Sequence, residues 1–412
     1  MELIFISLVF FSIGFSIVTS LILLHNKSFF KGLENRNKPA CLDSSAHPNK
    51  ENEPSKSPKP LVSVLIPARN EENNLPRLLE SLKKQTYTNL EIYVLDDHSE
   101  DQTKKIAEDF FYKLKFPGNV LSGRKKPDSW LGKNWACHQL SETATGQILL
   151  FLDADTWLSE SFISDIVEKM DEDNLDFATV WPHQVMQSFL EKTIISMVYS
   201  TVVAYLPTHY SFQAPGWIPA RSLRHKVKPL FASACGQCMV FRAGAYKEIG
   251  GHALVKTCVV EDVKIAKRVV SSGKTMRMFH GTNRIWCRMY SSASDLFQGF
   301  RKNFFAGFDY RLLPFLTSWI LHIVVYLVPL AALIMIFLGI MPGDDYHLLL
   351  IVSLIALLIP HLQRFWISRF LKWPVSTALL LIPGVLWFQM LAFVVLADYY
   401  LKTGAKWKGR TV

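Results

Sequence analysis

The chain has 412 residues, half of them hydrophobic, and its mean hydropathy of +0.16 is high for a soluble enzyme. A formal charge of +10 points to an anionic partner, whether nucleic acid, an anionic bilayer face or a phosphorylated substrate. Six scattered cysteines (Cys41, Cys137, Cys235, Cys238, Cys258 and Cys287) make no disulfide framework and fit a reducing compartment.

Leu3 to Leu24 is an uncharged apolar run of bilayer-spanning length. Glu2 precedes it, Lys27 and Lys31 follow it, and Val18-Thr19-Ser20 is a poor cleavage site. The run reads as an uncleaved anchor, residues 1–26, with the next segment in the cytoplasm. Residues 27–60 turn polar and rich in Pro, Ser, Asn and Lys, the composition of a flexible tether.

From Leu61 the pattern alternates. Leu61–Pro67, Glu91–Leu95, Gly118–Ser122 and Ile148–Leu152 read as strands, separated by helical spacing at Leu75, Leu78, Leu79 and Leu82, at Ile106 and Phe110, and over Trp135–Thr143. This predicts an α/β domain with a mainly parallel sheet, in which ligands gather at the carboxyl ends of the strands. Pro67-Ala-Arg69-Asn-Glu71, Asp96-Asp97 and Asp153-Ala-Asp155 all fall there. A lone Asp-x-Asp is usually an acidic turn. Three acidic clusters converging on one edge favour a shared site, where two carboxylates hold a divalent cation and, through it, phosphate oxygens.

Further along, Leu175–Pro182 reads as a strand. The uncharged part of Val185–Leu206 is too short to cross a bilayer, so it packs on the domain or lies at the membrane face. Cys235-Gly-Gln-Cys238 matches a redox or zinc pattern, but with no second C-x-x-C the two cysteines read as small core residues. Glu261-Asp262 opens a helix over Val263–Ser272, where acids suit the helix dipole or line a pocket. Met276–Met289 is basic and aromatic, fitting a headgroup zone or a phosphate site.

Beyond Pro314 come apolar stretches at 315–341, 348–360 (longer if 362–367 extends it) and 378–397. Asp344-Asp345 suits the outer side, and Arg364, Arg369 and Lys372 the inner. The basic tail with Lys402, Lys406, Lys408 and Arg410 conflicts with a full final crossing, and Pro383-Gly384 allows a broken or re-entrant segment instead, leaving the tail cytoplasmic.

Taken together, the motifs resemble membrane-bound family 2 glycosyltransferases of the GT-A fold, over roughly Leu61 to Lys302 and the flanking membrane segments. The resemblance implies a nucleotide-diphospho-sugar transferase domain over residues 61–310, a membrane region over 311–401 and a basic tail over 402–412. Pro67, Arg69, Glu71, Asp96, Asp97, Lys133, Asp153, Gln298 and Arg301 would bind the nucleotide sugar. Asp153 and Asp155 would hold a divalent cation, Mn²⁺ or Mg²⁺, with His280 as a possible third ligand. Asp262, beside Glu261, would be the acceptor base. Gln298-Gly-Phe-Arg301-Lys302 departs from the family's Q-x-x-R-W at Lys302, which argues against polymerisation and for one sugar added to one acceptor. A narrower resemblance is to the staphyloxanthin-type 4,4'-diaponeurosporenoate glycosyltransferases and, more distantly, the ceramide glucosyltransferases. It rests on Gly132-Lys133, Ala136-Cys137, Gly250-Gly251-His252, Arg288-Met289-Tyr290 and Trp407-Lys408-Gly409-Arg410.

The implied activity is inverting, metal-dependent transfer from a nucleotide sugar, such as a UDP-hexose, to a membrane lipid such as an apocarotenoid carboxylate, in a multi-pass protein of the cell membrane. A polyprenyl-phosphate sugar synthase, a polysaccharide synthase and a non-catalytic multipass scaffold are the alternatives. No nucleic-acid recognition module accompanies the charge.

Overall fold

The computed structural model describes residues 2–33, 58–114, 117–340, 346–401, 403, 406–407 and 410–411. Most of the tether, with Cys41, and the charged residues Asp344, Asp345, Lys402 and Lys408 lie outside the described residues.

Helix α1 (Glu2–Phe29) leads to an alternating run: β1 (Val62–Ala68), α2 (Leu75–Lys83), β2 (Leu90–Asp96), α3 (Thr103–Leu114), β3 (Gly118–Ser122), α4 (Gly132–Thr143) and β4 (Ile148–Leu152). Next come β5 (Thr156–Leu158), α5 (Phe162–Glu172), β6 (Phe177–Trp181), β7 (His183–Gln184) and α6 (Phe189–Tyr205). The short helices α7 (His209–Phe212) and α8 (Arg221–Val227) precede β8 (Cys238–Arg242), α9 (Ala243–Glu248), α10 (Glu261–Ser271), β9 (Met276–His280) and β10 (Ile285–Cys287). Helices α11 (Ala293–Ala306), α12 (Leu312–His322), α13 (Val328–Phe337), α14 (Tyr346–Phe370) and α15 (Leu381–Leu401) follow, and β11 (Lys406–Trp407) and β12 (Arg410–Thr411) pair at the end.

Seven strands form the main sheet in the order β3-β2-β1-β4-β8-β6-β9. All neighbouring pairs are parallel except those of β8, which runs against β4 and β6. The near-continuous apolar runs of β1 and β4 follow from burial on both faces. One face is closed by Leu75, Leu78 and Leu79 of α2 with Phe162 and Ile166 of α5, the other by Leu140 of α4 with Ile265 and Val269 of α10. The chain builds outward from β1 to β2 and β3, then returns to place β4 on the opposite side of β1. The strand order therefore reverses between β1 and β4, where open α/β sheets leave a crevice at the strands' carboxyl ends.

Two expectations change. The strand expected from Ser233 begins only at Cys238, because Cys235 to Gln237 form a turn that Cys238 N–H closes on Cys235 O. The short second membrane stretch is one helix of 25 residues that runs through Pro360 to Phe370. A proline inside a buried apolar helix is tolerated where neighbouring helices and side chains re-satisfy the backbone. Among the described residues four helices, Leu3–Phe29, Leu312–Phe337 (with a π turn joining α12 to α13), Tyr346–Phe370 and Val375–Leu401, are long and apolar enough to cross a membrane. Helix α6 packs on the α/β domain through Ile194, Ile195 and Tyr199, among Trp181 and Met278. It also meets the apolar helices through Met197, beside Leu381 and Val385.

Phe241 lies at the centre of the second core face, stacked on Phe177 at 4.3 Å and edge-on to Tyr246 at 5.2 Å. Phe241→Ala is expected to cost about 3–5 kcal/mol, read as a lowered unfolding midpoint. Tyr112→Ala on the exposed side of α3 should leave that midpoint unchanged.

Candidate active site

The loops after β1 and β2 are knitted together where the strand order reverses. Arg69 donates to the carbonyls of Asp97 (2.8 Å) and His98 (2.7 Å) and pairs with Glu100 at 3.2 Å. Asn70 N–H donates to Ser99 Oγ, and Asn70 Oδ1 accepts from Glu100 N–H. Both Asn70 and His98 have positive φ, 53° and 57°, a left-handed backbone uncommon for residues other than glycine. Asp97 N–H reaches Ala68 O at 2.8 Å, and Asp96 Oδ1 accepts from Ser99 N–H at 3.3 Å. Asp96 and Asp97 are both buried. Pro67 lies within β1 beside Leu95. Glu71 is close enough for its charge to be felt at Asp153. In this arrangement Arg69 acts on its own loops: it fixes the walls that hold Asp97.

Strand β4 ends at Leu152, so Asp153-Ala154-Asp155 is a turn into β5, closed by Thr156 N–H on Asp153 O at 3.1 Å. The two carboxylates therefore leave a turn instead of sharing one face of a strand, and they face different neighbours. Asp153 takes a bidentate ion pair from Lys133 Nζ, at 2.8 and 2.9 Å, and the same ammonium lies 3.2 Å from Glu261 Oε1. Asp155 faces the Cys287 thiol, whose pKa burial and that carboxylate push well up, and its charge also reaches Tyr290.

Antiparallel β8 begins opposite the end of β4, with Cys238 beside Leu152, and this brings the preceding turn to the same edge. Gly236 N–H donates to Asp262 Oδ2 at 2.7 Å, and Asp262 Oδ1 accepts from Val263 N–H at 2.8 Å. A Cβ on Gly236 would stand 3.1 Å from Glu261 Oε1, 3.2 Å from Lys133 Nζ and 3.3 Å from Asp262 Oδ2, so the close approach leaves little room for a side chain. Gln237 O accepts from Asp153 N–H, and its side chain bonds Gln184 and Cys287. These two residues were not singled out by sequence. The signal was present as the middle of Cys235-Gly-Gln-Cys238, whose cysteines are buried and free.

Burial and the adjoining charge of Glu261 push the Asp262 carboxyl up to about 7. At Glu261 burial works the other way from Lys133, and the ammonium, helped by backbone hydrogen bonding, holds the carboxyl below its ordinary value. Two neighbouring acids are thus driven apart, one staying ionised and the other poised to exchange a proton near neutrality.

Other predicted site residues sit elsewhere. Arg301 makes a bidentate pair with Asp398 of α15, at 2.6 and 2.5 Å, instead of facing Asp153. It is Lys302, one residue on, whose charge reaches Glu261. Gln298, on the same helix, has its side-chain oxygen buried without a hydrogen-bond partner among the described residues. His280 lies at the end of β9, three strands from β4, with its ring against Phe30 and Phe370, so the fold does not bring it to Asp153 and Asp155. Among the described residues no group of three or more His, Cys, Asp and Glu is arranged to hold a metal by itself. Asp153 and Asp155 still offer carboxylate oxygens at one strand end. That donor set suits a hard cation whose remaining ligands come from phosphate oxygens and water.

The α/β sheet thus carries an acid-lined crevice at its switch point, beside apolar helices. Residues 63–250 match the family Glycosyl transferase family 2, and the chain carries a glycosyltransferase domain of that family. It is 27% identical over 252 residues to a 4,4'-diaponeurosporenoate glycosyltransferase of Staphylococcus haemolyticus, covering 60% of this chain and 61% of that one. The Staphylococcus aureus protein of the same description is 22% identical over 249 residues, again covering 60% and 61%. The alignment spans less than two thirds of the length of these relatives. A mannosyltransferase of Pyrobaculum calidifontis, solved in complex with GDP-Man and Mn²⁺, shares the fold with a TM-score of 0.54 at 14% identity, over 93% of this chain and 99% of that one.

The Lys133 contacts predict a coupling. Lys133→Met leaves Asp153 and Glu261 without their shared cation and should lower the unfolding midpoint, because a carboxylate stripped of its partner is costly. Adding Glu261→Gln should restore part of that loss. Independent, additive effects would show that the three groups do not act together.

Proposed function

We propose that the chain transfers one sugar, by a single inverting displacement, from a nucleotide-diphosphate sugar (a UDP-hexose) to a lipid acceptor in the membrane, such as an apocarotenoid carboxylate. The observation that carries this reading is the placement of Asp262. Its carboxyl is raised to about 7 and held by two backbone N–H groups, beside the Lys133–Asp153 pair at the crevice of a family 2 domain.

In this reading Asp97 and the loops fixed by Arg69 hold the nucleoside, and Asp153 and Asp155 face the diphosphate. A divalent cation, Mn²⁺ or Mg²⁺, held by those two carboxylates would neutralise the leaving diphosphate as its charge grows. Lys133 adds fixed positive charge on the same side and opposes the rise that burial gives the Asp153 carboxyl. Asp262 takes the proton of an acceptor hydroxyl, or orients a carboxylate that is already ionised, and attack from the face opposite the diphosphate inverts the anomeric centre. The four apolar helices and the proximity of Lys302 to Glu261, where polymer-forming relatives carry tryptophan, favour a lipid acceptor over a growing polysaccharide. Lys27 in the last turn of α1 and Lys31 just after it support a catalytic domain facing the cytoplasm of a cell-membrane protein.

Membranes bearing Asp262→Asn should retain nucleotide-sugar binding while transfer falls on the order of 100-fold or more. Near-normal transfer would remove the assigned role.

The pH dependence separates acceptor chemistries. Because the folded carboxyl sits at about 7, its basic form grows as pH rises, so transfer to a hydroxyl should climb through that pH and level above it. A carboxylate acceptor, ionised well below that pH, should give a flat profile in the same window. The linkage sign is opposite for stability: a carboxyl raised above its unfolded value stabilises the fold at low pH, and that contribution is lost as pH rises through about 7.

Chelating divalent cations should abolish transfer. Asp155→Asn should raise the cation concentration needed for half-maximal rate, measured on the product lipid by mass. A rate indifferent to chelation excludes the metal-dependent step.

A further inference from the structure

The four apolar helices are not equivalent. The residues Val9, Ala332, Leu349, Val352 and Ala356 form a cluster at the end of the helix bundle away from the sheet, and among the described residues it draws on α1, α13 and α14 alone. Towards the other end the same helices approach the catalytic domain. Phe30, after α1, packs with Phe370 at the end of α14, and both rings meet His280 of β9. Gln363 of α14 donates to Ser16 O, Thr19 Oγ1 and Ser20 Oγ of α1, so these two helices run side by side in the same direction.

Helix α15 follows a different path. The chain leaves α14 at the catalytic side, where Leu371 O meets His183 of β7. Thr377 then turns back on Ser368 and Arg364 of α14. Leu381 and Val385, at the start of α15, pack on Met197 of α6, and Gly384 lies so close that a Cβ would meet Thr193 O at 3.3 Å. From there α15 runs antiparallel to α12: Leu381 and Val385 lie with Val325 just beyond α12, Phe393 meets Trp319, and Leu391 and Val395 pack with Phe315. Its far end returns to the catalytic domain, where Asp398 takes the bidentate pair from Arg301 of α11 and Tyr399 meets Phe305. Helix α11 is itself tied to the domain just past its end, by Lys264 of α10 on Asp309 at 2.6 Å.

We infer that α15 is re-entrant: the chain enters and leaves the bilayer on the face that carries the catalytic domain, three helices cross, and the C-terminus shares that face. Leu386, Met390, Phe393 and Tyr400 recur at helical spacing on its exposed side, giving an apolar stripe for the acyl chains of the catalytic-side leaflet. The pairing of β11 with β12, and the contact of β11 with α11, place the tail beside the domain. That position agrees with the charges Lys402, Lys406, Lys408 and Arg410, which a full fourth crossing would send to the opposite side. The inference does not depend on which sugar or acceptor the enzyme uses.

The test is sidedness in sealed vesicles of one orientation, with the full chain carrying a protease-cleavable epitope tag before Glu2, within residues 40–50, or after Val412. Protease added outside should cut the tag at 40–50 and the C-terminal tag together, or spare both. The N-terminal tag should behave oppositely, and all three should be cut after detergent. A C-terminal tag cut with the N-terminal one overturns the inference, as does an N-terminal tag cut with the tag at 40–50, or a C-terminal tag split between the two faces.

Discussion

Lys133 Nζ lies 2.8 and 2.9 Å from the oxygens of Asp153 and 3.2 Å from Glu261 Oε1, and much of the acidic crevice follows from that one ammonium. Four carboxylates, Glu71, Asp153, Glu261 and Asp262, gather at this edge of a buried sheet, and without a cation among them their mutual repulsion would favour protonation. Lys133 answers only part of that demand. It compensates Asp153 and Glu261 directly. At Asp262 the same ammonium and two backbone N–H groups pull the carboxyl down, but burial and the charge of Glu261 outweigh them and it rises. The asymmetry sets Glu261, held below its ordinary value, beside one residue poised for proton transfer.

The residues that present this arrangement to the ammonium come from three topological decisions. The strand order reverses between β1 and β4, which opens the crevice. Helix α4 crosses to the other face of the sheet and carries Lys133 in its first turn. Antiparallel β8 starts opposite the end of β4, so Gly236 arrives as a residue with no side chain where any side chain would crowd the lysine and both acids. Reversing β8 would leave Asp262 without the Gly236 N–H.

Much of this was legible in the sequence, because parallel strands buried on both faces are written as unbroken apolar runs that end at the acids. Asp97 and Asp153 could be placed on one edge from the strand pattern, whereas Asp262 joined them only through the family resemblance. The unread parts involve partners far apart in the chain or obscured by a stronger pattern. Cys235 and Cys238 drew attention to themselves, and the residues between them form the contacts. The Arg301 partner Asp398 is 97 residues away on a helix expected to lie in the membrane. His280 looked like a free metal donor, but its neighbours Phe30 and Phe370 come from opposite ends of the chain. Pro360 looked like a helix end, since proline removes a backbone donor in any helix. In this bundle the helix continues, and its inward-facing Gln363 and Arg364 find hydroxyl and carbonyl partners on neighbouring segments.

Helix α6 explains why the catalytic edge and the bilayer helices hold a fixed relation. Its packing is mainly apolar, which by itself would permit sliding. Specific polar contacts pin it along its length. Arg288, just past β10, lies 3.5 Å from Glu191 near its start, and Ser196 accepts from Arg364 of α14. Tyr199 accepts from Gln184, which in turn reaches Gln237 beside Asp153. At its end Asn26 of α1 donates to the carbonyls of Val203 and Leu206, two groups a helix terminus leaves without intrahelical partners. Most of these bonds are directional and buried, so displacing α6 along its axis would strand several polar groups at once. A sheet clamped in that way presents its acids at one fixed position relative to the apolar helices.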